Sequence, residues 1–447
     1  MWKKFLYLFG IPFVLFGVVG EARAACDQTL STGANIASAV SSAAAGSTIC
    51  LNSGNYGSVT ISNITKSSNV TIRSSTSKGA TVTFTVRNSN HLVFNDMTFA
   101  GGDVCDPGEL NHDLQFTNNA FTNHFKVCGG GGLSPSTDVH ILIDGNTFTN
   151  IPNEGGIEGR LQGYDMMGVT ISNNIFNNTN TSGANCTDGI QTGGNGGTIG
   201  PGNTFTGLVQ GGCGPHIDSI QLWSSNPVPS NVTIIGNYFD KDTMYIGAYD
   251  GSASILVKDN VFGPGDSNTH GLPLQFGAVN GFNVLHNTFK GGWSLAQGTK
   301  AGMTPTHNAT YKDNIFAGTR INDAGDQPGC SSGCVYDHNL YTSSSDVHAG
   351  DTNTIIGTPT FTGGSNPSTW AGYQLTSSSL GYHNASDGQD RGTTYYGSGT
   401  VNPPPPDTTP PTAPTNLAAN VTLGAQVDLT WTASVDAVGV ALYQVER

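Results

Sequence analysis

The stretch GPHIDSIQLW, Gly214 to Trp223, gathers His216, Asp218 and Gln221 within six residues of a chain otherwise rich in Gly, Ser, Thr and Asn. An imidazole beside a carboxylate is suited to proton transfer, and a primary amide to holding hydroxyl groups. Thirty residues upstream the phrase returns as CTDGIQTG, Cys186 to Gly193, with Asp188 and Gln191 in the same relative places. The chemistry therefore depends on whether a repeat brings the two phrases together.

A second phrase sets the repeat. Asn, any residue, then an aromatic follows an apolar β-branched run, as in ILIDGNTF, VTISNNIF and VTIIGNYF. Its Asn positions are 119, 146, 174, 203, 237, 260, 287, 314 and 339, with spacings of 27, 28, 29, 34, 23, 27, 27 and 25. Such a period fits one supersecondary unit stacked along a solenoid. Each unit has alternating strands, an Asn-bearing turn and Gly-rich connections, and almost no helical periodicity. About three short strands per unit, layered at about 4.8 Å, make an all-β parallel β-helix in which equivalent residues lie above one another. The Asn is expected to serve the turn and to bond from coil to coil, and the aromatic to stack in the core.

With this ladder the chain resembles the secreted right-handed parallel β-helix proteins, the superfamily of pectate lyases and polygalacturonases, over roughly residues 30 to 395. ANIASAVSSAAAGSTICLNSGNYGSVTI is similar to their amphipathic cap helix and first coil, and GTPTF…GYQLTSSSLGYHNASDGQDRG to the closing segment of bacterial members. TDGIQ resembles the NTDGID of polygalacturonases, which implies that Asp188 or Asp218 takes the place of a catalytic Asp. The chain has no Asp-Asp pair on a following coil, no Gly-His-Gly and no Arg-Ile-Lys. The Ca²⁺-binding and Arg signatures of the main pectate lyase family are missing too. These signals are specific for fold and poor for activity.

The ladder also supplies a register. Gln162, Gln191 and Gln275 lie 12 residues before their ladder Asn, and Gln221 lies 16 before Asn237 with an insertion in NPVPS; Ala248 takes the place on the intervening coil. Three residues earlier stand Gly159, Asp188, Asp218, Tyr245 and Leu272, so Asp188 is expected to stack on Asp218 at about 5 Å. Two carboxylates at that distance split their pKa values or share a cation, here Ca²⁺. Asp218 is read as general acid or base, Asp188 as its partner or a Ca²⁺ ligand, and His216 as a second proton-transfer group. Gln191 and Gln221 would bind sugar hydroxyls, Trp223 would stack on a ring, and Arg160, Tyr245, Tyr249, His270 and Gln275 would line the same groove. Lys258 is a rival base, expected on another face. A plainer reading stands beside this one: stacked Gln forms a polar ladder, and Asp before Gly or Ser caps a turn.

The ends and composition bound the function. Lys3 and Lys4, an apolar run from Phe5 to Val19 and the Ala22-Arg23-Ala24 site read as a signal peptide over residues 1–24. Without it the chain keeps 14 basic and 30 acidic residues, a net charge of −16, which disfavours nucleic acid, anionic membranes and direct capture of a polyanionic glycan. The eight cysteines, 26, 50, 105, 128, 186, 213, 330 and 334, are an even set that favours disulfides in an exported chain. Connectivity is open, but the neighbour pairs 26–50, 105–128 and 186–213 each span about one coil. The β-helix is expected over 25–398, a Pro-rich linker over 399–414, and over 415–447 a segment that resembles the first strands of a fibronectin type III domain, with Trp431 and Tyr443. That segment is about half the usual length, so the chain reads as truncated. The expectation is a monomeric extracellular protein with no membrane span that binds a polysaccharide or cell-surface glycan and cleaves it by hydrolysis or elimination. The alternative is a non-catalytic adhesion rod.

Overall fold

The computed structural model describes residues 25–105, 110–133, 136–152, 159–179, 186–210, 217–223, 228–248, 251–265, 272–291, 295–298, 305–322, 330–397, 412–422, 426–432 and 434. The signal segment, most of the Pro-rich linker and Tyr443 lie outside them.

The described residues up to Thr394 form a parallel β-helix. Among the described residues, one sheet of 13 parallel strands carries the apolar runs that precede the ladder Asn, and a second sheet of 21 strands carries the aromatic positions and the Gln-bearing strands. Alternation drives both sheets: ATVTFTVR, Ala80–Arg87, buries every second residue. The first coil is capped by the helix Ile36–Ser42, which starts on the Asn35 side chain accepting from Ser38 N at 2.9 Å. Its Ile36, Ala39 and Val40 cover the open end of the core.

The Asn ladder is continuous. On each rung the side-chain oxygen accepts from the previous coil, as Asn174 Oδ1 does from Asn146 N at 2.9 Å and Asn146 Nδ2 at 3.0 Å. Its amide nitrogen donates back to Ile143 O at 2.9 Å and onward to Asn203 Oδ1 at 3.0 Å. All nine ladder Asn side chains are buried. The left-handed backbone belongs instead to the residue before each: Asn118, Gly145, Asn173, Gly202, Gly236, Asp259, His286, Asp313 and His338 have φ between 51° and 92°. The turn therefore splits the two tasks assigned to one Asn by sequence, with φ > 0 on a small or polar residue and hydrogen bonding on the next. The rings two residues on stack from Phe121 to Tyr341 with centroids 4.4 to 5.1 Å apart, one per coil.

Disulfides Cys26–Cys50 and Cys105–Cys128 join cysteines 24 and 23 residues apart, and Cys330–Cys334 closes a short loop. Cys186 is disulfide-bonded as well, and Cys213 lies outside the described residues. Among the described residues no helix is long and apolar enough to cross a membrane. The second unit, Tyr395–Arg447, contains an antiparallel hairpin of Thr415–Thr422 and Gln426–Thr432, with Trp431 half-buried.

The closing segment folds back over the left-handed turns. Asp259 Oδ1 accepts from Thr394 N at 2.9 Å, Asp313 Oδ2 from Ser386 Oγ at 2.6 Å, and His286 Nε2 lies 3.1 Å from Asp387 Oδ2. Burial disfavours a charged His286, yet the hydrogen bond to Asp387 and the nearby Asp259 and Asp313 carboxylates outweigh it, so its pKa is raised. The same hydrogen bond holds Asp387 down to about 2. A raised His pKa stabilises fully below the unfolded value of 6.5 and loses that stability as pH rises through the folded value. The Asp387 contribution is present above its ordinary value and lost as pH falls toward about 2. We therefore expect the gap in melting temperature between the wild type and His286→Gln to be widest between about pH 4 and 6.5 and to close on the alkaline side. Asp242, buried and raised to about 7, titrates alike in both proteins and cancels. A gap that grows with alkalinity would refute the ion-paired clasp.

Candidate functional site

The strands Gly159–Tyr164, Asp188–Gly193, Asp218–Leu222, Met244–Ala248 and Leu272–Gly277 pair in parallel and build one wall of the helix. Leu161, Ile190, Ile220, Ile246 and Leu274 share a column fully buried in the core. The next residue on each strand points away from that core, with Gln162, Gln191 and Gln221 largely covered, at 8%, 3% and 8% exposure. That outer column reads Thr85, Asp103, Lys126, Gln162, Gln191, Gln221, Gly247, Gln275, one residue per coil. Its amides form a chain, with Gln162 Nε2 donating to Gln191 Oε1 at 3.1 Å and Gln191 Nε2 to Gln221 Oε1 at 2.7 Å.

The Asp positions reach this face through a local irregularity. Two consecutive residues turn inward where alternation allows one. Arg160 and Leu161, Ser219 and Ile220, and Tyr245 and Ile246 are all buried, and a Cβ on Gly189 would meet the Phe205 and Leu208 side chains. Asp and Gln, three residues apart, consequently lie on one side of the strand, and Gln221 Nε2 donates to Asp218 Oδ2 at 3.0 Å. Asp188 stands one coil from Asp218, and its Oδ1 accepts from Asp218 N at 2.8 Å. Both carboxylates are buried, at 3% and 0% exposure.

Other expected positions fall elsewhere. Arg160 is fully buried, and its guanidinium donates to Phe148 O at 3.3 Å, Asn177 O at 2.9 Å and Asn178 Oδ1 at 2.6 Å. Burial lowers its pKa to about 10. Tyr245 packs against Phe239 and Phe262, and its hydroxyl donates to Gly263 O at 2.8 Å. Neither lines a groove as expected: strict alternation would turn both outward, and the irregular pair turns both into the core. The register on that coil also moves by one, with Met244 beside Asp218 and Gly247, not Ala248, beside Gln221. Behind the wall Ser219 Oγ donates to Asp242 Oδ2 at 2.6 Å, and burial pushes Asp242 up to about 7. Gln275 is half-buried in the Gln column and Trp223 is exposed. Lys258 sits on the other sheet with Asp259 Oδ2 at 3.9 Å. His216, Tyr249 and His270 lie outside the described residues.

A Ca²⁺ ion between Asp188 and Asp218 does not fit. One oxygen of each carboxylate is taken by Asp218 N and Gln221 Nε2, and among the described residues no group of three or more acids, histidines or cysteines gathers to hold a metal. Ca²⁺ takes about 6–8 oxygens.

Sequence reading missed the start of the outer face. A cleft of about 220 Å³ is lined there by Thr83, Thr85, Asp103, Asn123, His124 and Lys126 among others. The Lys126 side chain has no hydrogen bond or ion pair among the described residues, whereas Asp103 Oδ1 is 3.4 Å from Arg87 Nη1. His124 lies between two carbonyls, Pro152 O and Gly159 O, each at 2.7 Å. The alternation in FKVC was the available signal, hidden because these coils carry no Gln.

No family model and no curated protein matches the chain. Among solved structures the chain is similar to the alginate lyase AlyGC of polysaccharide lyase family 6, with 13% identity and a TM-score of 0.50 over 82% of this chain and 57% of that one. A mannuronic acid specific family 6 lyase from human gut microbiota aligns at 12% identity and a TM-score of 0.47, covering 74% of this chain and 82% of that one. The catalytic unit of a GH87 α-1,3-glucanase from Streptomyces thermodiastaticus aligns at 11% identity and 0.43, covering 70% and 62%. The chain thus spans under two thirds of the length of AlyGC, and the likeness concerns the fold.

Proposed function

We propose that the protein is an exported carbohydrate-active β-helix protein that holds a polysaccharide along the outer face of the Gln column and cleaves it there. The observation that carries this reading is the column itself: a hydrogen-bonding side chain on each coil from Asp103 past Lys126, Gln162 and Gln191 to Gln221, and, after a gap at Gly247, Gln275. Hydroxyl-rich chains are matched by such repeated amide donors and acceptors. Asp218 is the proposed acid or base, Asp188 its partner and His216 the second proton-transfer group, with hydrolysis and elimination both open to a carboxylate pair. Formation of disulfides and the N-terminal segment support export, and the C-terminal unit would act as a spacer module.

The second reading, a non-catalytic glycan-binding rod, is favoured by the way Asp188 and Asp218 spend oxygens on the scaffold. A panel of neutral and acidic polysaccharides, read by reducing ends and by absorbance of unsaturated products, decides between them. Reducing ends without absorbance mean hydrolysis, both signals together mean elimination, and binding with neither signal leaves the rod.

A further inference from the structure

One column beyond the Gln ladder the outer face carries Tyr164, Gly193 and Trp223 on successive coils. Tyr164 pairs with Gly193, and Trp223 N donates to Thr192 O at 2.8 Å in the same parallel register. Gly163 and Leu222, the residues before the two aromatics, turn inward: a Cβ on Gly163 would meet Met166 Sδ, and Leu222 is fully buried. Tyr164 and Trp223 themselves are 39% and 49% exposed, unusual for rings of this size on a wall whose other large apolar side chains, among the described residues, are buried. Gly193 leaves the strip between them without a side chain. Two strand steps separate the aromatics by roughly 9.6 Å.

We infer that Tyr164 and Trp223 are paired stacking platforms for an extended, neutral polysaccharide of β-1,4-linked pyranoses lying parallel to the helix axis. This deepens the carbohydrate reading above and rests on it. In such a ribbon every second ring presents the same apolar C–H face, and the repeat is a disaccharide, comparable to two coil steps. Alternate rings then rest on the exposed Tyr164 and Trp223, and the intervening ring spans the gap above Gly193, which bears no side chain. A neutral chain is favoured because the protein carries a net charge of −14 and two stacked carboxylates stand beside the ladder.

The test is calorimetric titration of the full chain with hexasaccharides of β-1,4-linked glucose, mannose and xylose, and of mannuronate and galacturonate as acidic probes. At least one neutral hexasaccharide should bind, with Tyr164→Ala and Trp223→Ala each weakening it about tenfold and Trp223→Phe largely restoring affinity. The matching disaccharide, too short to reach both rings, should bind far more weakly. Neutral binding unchanged in the Tyr164→Ala, Trp223→Ala double variant overturns the platforms while leaving the carbohydrate reading intact. Binding of acidic probes alone overturns the neutral ribbon, and no binding of any glycan overturns both readings.

Discussion

Asn174→Ala should lower the stability of the β-helix by about 3 kcal/mol or more, among the largest losses for a residue that touches no ligand. Asn146 N loses its acceptor at 2.9 Å, Ile143 O loses its donor at 2.9 Å, and Asn146 Nδ2 loses one of two partners. All these groups are buried, so water cannot replace the missing bonds cheaply. The neighbouring Asn173→Gly gives the control: φ is 53° there, a conformation glycine adopts freely, and stability should change by less than about 1 kcal/mol. Urea unfolding followed by circular dichroism measures both. If Asn174→Ala and Asn173→Gly unfold at the same midpoint, the ladder contributes little and the core alone holds the coils.

The second large effect is on turnover. If the protein cleaves a glycan, Asp218→Asn should reduce kcat/KM at least a hundredfold, the usual scale for a positioned acid or base. Asp188 and Asp218 are one strand step apart, about 4.8 Å, near the separation of a retaining carboxyl pair and shorter than that of an inverting one. The amide keeps the size of the side chain and an acceptor for Gln221, which now bonds Asp218 Oδ2 at 3.0 Å. The thermal transition should therefore move by only a few degrees. Turnover equal to wild type would remove Asp218 from the chemistry. Loss of stability without loss of turnover would assign it to the scaffold.

The fold was legible because a coil repeats its physics. An apolar run, a turn and an aromatic recur nine times, so the Asn and Phe columns stand out from any single segment. The pairing of Asp188 with Asp218 followed from the same register. What alternation could not foresee was the double inward step at Arg160-Leu161 and Ser219-Ile220, which sends Arg160 and Tyr245 into the core and puts Asp218 beside Gln221. A register counted from the ladder also slips by one where a coil is short, as at Met244. Tyr164 and Lys126 were passed over because neither belongs to a repeated phrase; only the wall's outward face groups them with Trp223 and the Gln column.

The Asn ladder is also a vector. Each side-chain amide donates its N–H toward the next coil and offers its oxygen to the previous one, so the amide dipoles from Asn119 to Asn339 add instead of cancelling. Head-to-tail bonds of this kind polarise one another. The donor end of the thread then carries partial positive charge, as the N-terminus of an α-helix does, and needs an anion. It finds one: Asn339 Nδ2 donates to the Asp351 carboxylate at 2.9 Å, and Tyr341 Oη donates to the same oxygen at 2.7 Å. The solenoid therefore has an electrical terminus at the coil where its stacking ends.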